Sequence, residues 1–220
     1  ETIKIDEKDL ISEEKVMVGI TKDGYVKRAS IRSYQATLSV GLKQDDALIF
    51  EREVNTLNTL LIFTSLGNYI FLPVYKLDEQ KWKDLGVYLN NITPIAKDER
   101  IIDVILVESF KDNDYVLLAT KKGMMKQSKL SDFEVTRFYK SMKCMKLSGD
   151  DQLASVDYGQ RDNIISISKN GYVLRYKTED LPLYGLQAGG VKGMNIGDKD
   201  ILVKSLYVKE RDDFIMLSIR

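Results

Sequence analysis

The side chains best suited to chemistry are lysines and arginines, and they are unevenly spread. Between Lys15 and Lys43 six basic residues face a single acid, Asp23. Between Tyr115 and Leu147 eight (Lys121, Lys122, Lys126, Lys129, Arg137, Lys140, Lys143 and Lys146) stand against Asp132 and Glu134. The stretch 98–114 reverses the sign, with six acids and two bases. A belt of cations of this kind can displace the counterions around a polyanion such as duplex DNA, at a salt slope of about −0.9 per neutralised phosphate. The same lysines could instead solubilise exposed strand faces and discourage edge pairing. Composition leaves both readings standing.

Other chemistry finds little support. The chain has no histidine, so the commonest general base and the commonest zinc ligand are missing. Its one cysteine, Cys144, lies in a segment rich in methionine and lysine and excludes a disulfide framework or thiolate cluster. The acid pairs Asp45-Asp46, Asp150-Asp151 and Asp212-Asp213 are adjacent in turn-like sequence, where two carboxylates rarely converge on one cation. No nucleophile or acid–base pair stands out, so the expectation is a binding domain with no cofactor of its own. The 33 basic and 33 acidic residues cancel, and any electrostatic function must come from their distribution. No apolar run approaches the roughly 20 residues of a membrane span, and the first residues lack a basic signal region, which predicts a soluble cytoplasmic protein.

The elements that would position these cations recur. A short apolar run, a turn and a second strand-like run appear as VMVGITKDGYVKR (16–28), LLIFTSLGNYIFL (60–72), VLLATKKGMMKQ (116–127) and IISISKNGYVLR (164–175), and a fifth copy begins as FIMLSIR (214–220). The turn glycines Gly24, Gly67, Gly123 and Gly171 are 43, 56 and 48 residues apart, a period in the range of propeller blades. Each fits a tight hairpin needing a positive φ. Acidic turns opening at Asp45, Asp98, Asp150 and Asp198 precede further apolar runs, and these aspartates read as turn formers. With about four short strands per unit, the prediction is an all-β domain spanning 1–220, built of units near 13–44, 45–97, 98–149 and 150–197 and a partial one at 198–220. Helical turns are expected around Leu77 to Leu85 and Leu130 to Phe133. Tyr25, Tyr69 and Tyr172, at or near the turn glycines, are expected to pack against a neighbouring blade rather than to stack on bases.

The strings ITKDGYVKR, with Ala29 and Ser30 following, and ISKNGYVLRY resemble the repeat of the C-terminal domains of bacterial type IIA topoisomerase A subunits, the gyrase and topoisomerase IV family. SIRSYQA and the stretch around Trp82, FTSLGNYIFLPVYKLDEQKWKDLG, are similar to the topoisomerase IV branch of Gram-positive bacteria. The resemblance implies a β-pinwheel, a propeller-like disc of four-stranded blades whose basic rim binds and bends DNA, here about four complete blades and a truncated one. It implies double-stranded DNA as partner. In the intact enzyme it also implies the topoisomerase IV B subunit, together with the N-terminal part of the A subunit, and ATP and Mg on other domains or subunits. Carried onto this sequence, the implied DNA contacts are Lys22, Lys27, Arg28 and Arg32 in the first unit, Lys121, Lys122 and Lys126 in the third, and Lys169 and Arg175 in the fourth. Arg137, Lys140, Lys143 and Lys192 fall between units. The gyrase box, Gln-Arg-Arg-Gly-Gly-basic-Gly, is not matched: Gln187 to Gly193 reads QAGGVKG without the arginines, either a degenerate form of that loop or an ordinary Gly-Gly turn. The second unit departs most, with Phe71 and Leu72 where bases are expected, and is assigned either away from DNA or against a partner domain. A propeller-like protein-interaction scaffold remains the alternative.

Overall fold

The computed structural model describes residues 7–37, 39–136 and 140–212. Arg137 and the FIMLSIR segment therefore lie outside the described residues. In chain order the strands are β1 (Lys15–Thr21), β2 (Tyr25–Ser30), β3 (Leu48–Asn55), β4 (Thr59–Thr64), β5 (Asn68–Pro73), β6 (Val87–Tyr88), β7 (Ile101–Val107), β8 (Tyr115–Thr120), β9 (Met124–Lys129), β10 (Met142–Lys143), β11 (Leu153–Gly159), β12 (Asn163–Ser168), β13 (Val173–Lys177), β14 (Val191–Lys192) and β15 (Leu202–Val208). Two short helices, α1 (Ile31–Gln35) and α2 (Leu89–Ile92), interrupt them.

The four repeated strings form the four hairpins β1–β2, β4–β5, β8–β9 and β12–β13. Gly24, Gly67, Gly123 and Gly171 all have positive φ, between 72° and 92°, which a residue with a Cβ adopts only under strain. Each glycine N–H donates to the carbonyl three residues earlier, closing the turn. A second strand joins each hairpin through a register shift at one recurring place, where Thr21, Thr64, Thr120 and Ser168 meet their partners.

The sheets are out of phase with the sequence repeat. Their strand orders are β3-β1-β2-β6, β10-β5-β4-β7, β11-β8-β9-β14 and β13-β12-β15. The outermost strand of each of the first three is a two-residue segment that follows the next hairpin along the chain. β15, which sequence places in a partial fifth unit, is the third strand of the fourth sheet. Among the described residues that sheet is three-stranded, and its edge strand β13 is exposed along most of its length.

The described residues divide into two compact units, Glu1–Asp112 with Phe133–Cys144, and Asn113–Asp132 with Met145–Arg220. The first holds two sheets around a core that includes Val18, Ile20, Val26, Leu60, Ile62, Ile70 and Leu89. The second has its own core of Leu117, Ala119, Met125, Ile164, Leu202 and Tyr207. Strands buried on both faces, such as β4, are continuously apolar, which is why simple alternation is hard to see in the sequence.

The helical turns only half follow expectation. A 3-10 turn occupies Leu130–Phe133, but the one expected at Leu77 to Leu85 lies just before, at Val74–Lys76, and the loop beyond it is irregular. α1 is capped by Ser30, whose hydroxyl accepts from the Ser33 N–H, a signal present in the sequence as Ser-Ile-Arg-Ser.

Candidate nucleic-acid interface

The acidic turns clamp the hairpin tips. In three sheets one carboxylate oxygen accepts two backbone N–H groups, one from the hairpin turn and one from its own successor. Asp46 serves Asp23 and Ala47, Asp151 serves Lys122 and Gln152, and Asp200 serves Asn170 and Ile201. The bonding aspartates thus follow the ones that open the turns. In the second sheet the clamp is reversed: the Ser65 hydroxyl accepts from the Arg100 N–H, while Glu99 is buried against Thr64 and Asn68.

The clamps bear on the cations at the tips. Lys122 is ion-paired with Asp150, which raises the pKa of the ammonium and lowers that of the carboxyl. Lys121 donates to Gln152 Oε1 at 2.6 Å. Lys22 is exposed and lines a groove of about 630 Å³ with Lys43, Lys97 and Arg100. There the Lys43 ammonium sits 4.7 Å from the Tyr25 ring centre, and the Tyr25 hydroxyl raises its pKa.

Two expected contacts are corrected. Lys27 is 1% exposed and Lys126 is fully buried, so neither reaches a ligand at the surface. The Lys27 ammonium donates to three carbonyls, Gly41 O at 2.7 Å, Trp82 O at 3.1 Å and Asp84 O at 2.5 Å, and burial lowers its pKa. Lys126 donates to Gly185 O at 2.8 Å and Leu186 O at 3.0 Å. A charge away from water is tolerated only when hydrogen-bonded, and these are.

The loop that Lys27 holds borders a cleft of about 1110 Å³. One wall is α1 and the turn just beyond it, which present Arg32, Ser33 and Thr37; the other is the loop 79–86, which presents Lys81 and Lys83 together with the exposed acids Glu79 and Asp84. The loop is fixed at several points. The Gln80 N–H donates to Arg28 O, the Trp82 N–H to Ser33 Oγ, and the Trp82 indole is buried edge-on to Tyr34 at 4.9 Å. Gly86, at φ 95°, passes so close to Val26 that a Cβ would lie 2.6 Å from its carbonyl oxygen. Lys81 and Lys83 are cleft residues that the sequence reading does not single out. They are charged neighbours of the apolar Trp82, and only the fold sets them opposite Arg32.

The remaining expected contacts scatter. Arg28 is half-buried, with Nε enclosed and unpartnered. The Arg175 guanidinium donates to Lys209 O and Glu210 O. Lys140, Lys143, Lys169 and Lys192 are exposed. Lys143 pairs with Asn68 on β5, and Lys192 with Met124 on β9. The QAGGVKG loop owes its glycines to packing: a Cβ on Gly190 would lie 2.2 Å from Met125 O, and one on Gly193 2.5 Å from Met125 Sδ. Tyr69 is buried against Phe63 and Phe133, Tyr25 is tilted on Tyr88, and Tyr172 is 70% exposed. Among the described residues no group of three or more acidic, histidine or cysteine side chains is arranged to hold a metal, and no helix is long and apolar enough to cross a membrane.

Comparison with known proteins agrees with this fold. A solved C-terminal domain of DNA topoisomerase IV is 38% identical, superposes with a TM-score of 0.84, and is matched over 92% of this chain and 64% of that one. A DNA gyrase A C-terminal domain gives 25% identity and a TM-score of 0.68, over 90% and 66%. The A subunit of DNA topoisomerase 4 from Staphylococcus epidermidis is 39% identical over 99% of this chain, which spans 28% of that relative's length. The fold is all-β, as the repeats predict, and of the propeller or pinwheel class that the family resemblance implies. The family model described as "DNA gyrase C-terminal domain, beta-propeller" matches residues 17–43, 58–108, 114–158 and 162–209, and the chain belongs to that family.

Proposed function

We propose that this chain is the DNA-binding domain of a topoisomerase IV A subunit, holding and bending duplex DNA without cutting it. The observation that carries the reading is the cleft in the first unit, where three exposed cations, Arg32, Lys81 and Lys83, outnumber two exposed acids, Glu79 and Asp84, on walls tied together by hydrogen bonds. Side chains on such a frame contact phosphate rather than base edges, so the domain reads charge and shape. Bending a duplex costs about 1 to 6 kcal/mol, and several weak contacts along a curved path offset it. Lys140, Lys143, Lys169 and Lys192 supply further exposed cations. In the whole enzyme the domain would select and bend the transported segment during decatenation and supercoil relaxation. ATP and Mg would act on other domains or on the B subunit, in the cytoplasm at the nucleoid.

The test is fluorescence anisotropy of the 220-residue chain with a mixed-sequence duplex of about 40 base pairs, titrated with salt. A plot of log Kobs against log salt should fall with a slope of about −3 to −6, a few phosphate contacts. Charge reversal of Arg32, Lys81 and Lys83 together should weaken binding at least about tenfold and flatten the slope by about 2 to 3, with the melting temperature held. A chain that binds no duplex at any salt would instead be a protein-interaction scaffold.

A further inference from the structure

The two buried lysines occupy one structural position. Lys27 and Lys126 each lie three residues after a turn glycine, on the second strand of a hairpin, Gly24 and β2 in one unit and Gly123 and β9 in the other. Each ammonium donates to carbonyls of the irregular loop that leads into the short outer strand of its own sheet, β6 or β14. Each loop ends on a positive-φ glycine, Gly86 or Gly190, pressed against the carbonyl of the residue preceding the lysine. At the equivalent place in the second sheet stands Ile70, fully buried. Packing alone is therefore met by an apolar side chain, and a lysine at this position is explained by what its three N–H donors hold.

What they hold carries surface cations in one case and leads into one in the other. The loop 79–86 presents Lys81 and Lys83 to the cleft, and the same ammonium ties in Gly41 from the segment beyond α1. The loop 183–190 runs directly into exposed Lys192, and its Ala188 carbonyl accepts the Lys146 N–H. These carbonyls belong to surface loops, so without the ammonium they can turn to water; the loop then loses its place before the sheet loses its core.

We propose that Lys27 and Lys126 are positioning residues for DNA binding: their buried ammonium groups fix the loops 79–86 and 183–190 so that surface cations meet phosphates in register. The proposal rests on the DNA reading above. Lys27→Met, Lys126→Met and the surface control Lys81→Ala/Lys83→Ala test it in the 220-residue chain, through amide hydrogen exchange, thermal melting and salt-titrated binding to the same duplex. Lys27→Met should speed exchange within 79–86 and leave 59–73 unchanged. It should weaken duplex binding about tenfold and make the salt slope shallower by about 1 to 2, as fewer phosphates are engaged. Lys126→Met should loosen 183–190 and leave 79–86 protected. The surface control should weaken binding with no change in exchange, and Lys27→Gln, which keeps a donor, should fall between wild type and Lys27→Met. Wild-type affinity and slope in Lys27→Met would overturn the positioning role and leave the DNA reading intact. Failure of the wild-type chain to bind duplex would overturn both. If Lys27→Met, Lys27→Gln and Lys126→Met all lose cooperative melting, the lysines determine the fold rather than loop placement, and the proposal falls.

Discussion

The first two sheets share one unit and one hairpin plan yet spend it differently. Both turn on a positive-φ glycine, Gly24 or Gly67, and both add a third strand through the same register shift. The first sheet then places Lys27 inside and Arg32, Lys81 and Lys83 outside, around a cleft. The second is closed by apolar contacts: Phe63, Tyr69 and Phe133 pack together, Phe71 stacks on Phe110 at 5.5 Å, and β5 is buried from Tyr69 onward. The two hairpins diverge at one position: three residues after the glycine stands either Lys27, whose ammonium holds the following loop, or Ile70, which is buried in the core.

The harshest way to break the comparison is to force one sheet to imitate the other. Ile70→Lys would bury a cation in the second sheet, and stability should fall by about 4 kcal/mol or more, read as a lost or strongly lowered urea midpoint. Next comes the glycine that seats the cleft loop. Gly86→Ala combines a left-handed backbone with a clash on Val26 O and should cost about 3 kcal/mol, whereas Gly149→Ala, at φ 60° with open space around it, should cost about 1 kcal/mol.

Alkaline pH separates the two sheets through Tyr69, whose pKa burial pushes up to about 12. The unfolded phenol ionises near 10, so the folded state keeps a proton that the unfolded state has lost. The contribution is complete below about pH 10 and is lost as pH rises through about 12, an effect of about 2 to 3 kcal/mol. Lys27 has the opposite sign: its lowered pKa means that the unfolded chain binds the extra proton, so stability from this group rises as pH approaches 10.5 from below. Urea midpoints between pH 8 and pH 12 should therefore fall steeply only above pH 10 in wild type, and the fall should shrink in Tyr69→Phe. The mildest contrast lies in the tip clamps, where Asp46→Ala and Ser65→Ala should each cost about 1 kcal/mol, by thermal melting.

How much of this was legible follows from the range of each signal. The hairpins were readable because glycine with positive φ and flanking β-branched runs are local features, and all four turns stand where the sequence put them. The outer strands were not: β6, β10 and β14 are two residues long, and nothing periodic fits in that length. Lys27 and Lys126 depart from expectation because a lysine after a turn reads as surface, and the carbonyls that justify its burial are, Gly41 apart, 55 to 60 residues away along the chain. Lys81 and Lys83 were missed for the same reason, since β3, β4 and β5 separate them along the chain from the facing wall, α1. The second unit's departure, visible as Phe71 and Leu72 in place of bases, does correspond to a buried strand.

The phase offset between sheet and repeat has a consequence during synthesis. When β2 (residues 25–30) leaves the ribosome its outer edge has no partner; Glu79 and Gln80 reach Arg28 first and β6 then covers Tyr25 and Val26, both after the whole of the next hairpin. The same delay recurs for β5, which waits for 142–143, and for β9, which waits for 182–184 at Gln127 and for 191–192 at its start. Each of these three nascent hairpins thus passes through a period as an open edge, the state most prone to pairing with a wrong chain. Removing the segment that follows a neighbouring hairpin would leave such an edge open in the folded sheet, so a single repeat is not a self-sufficient blade.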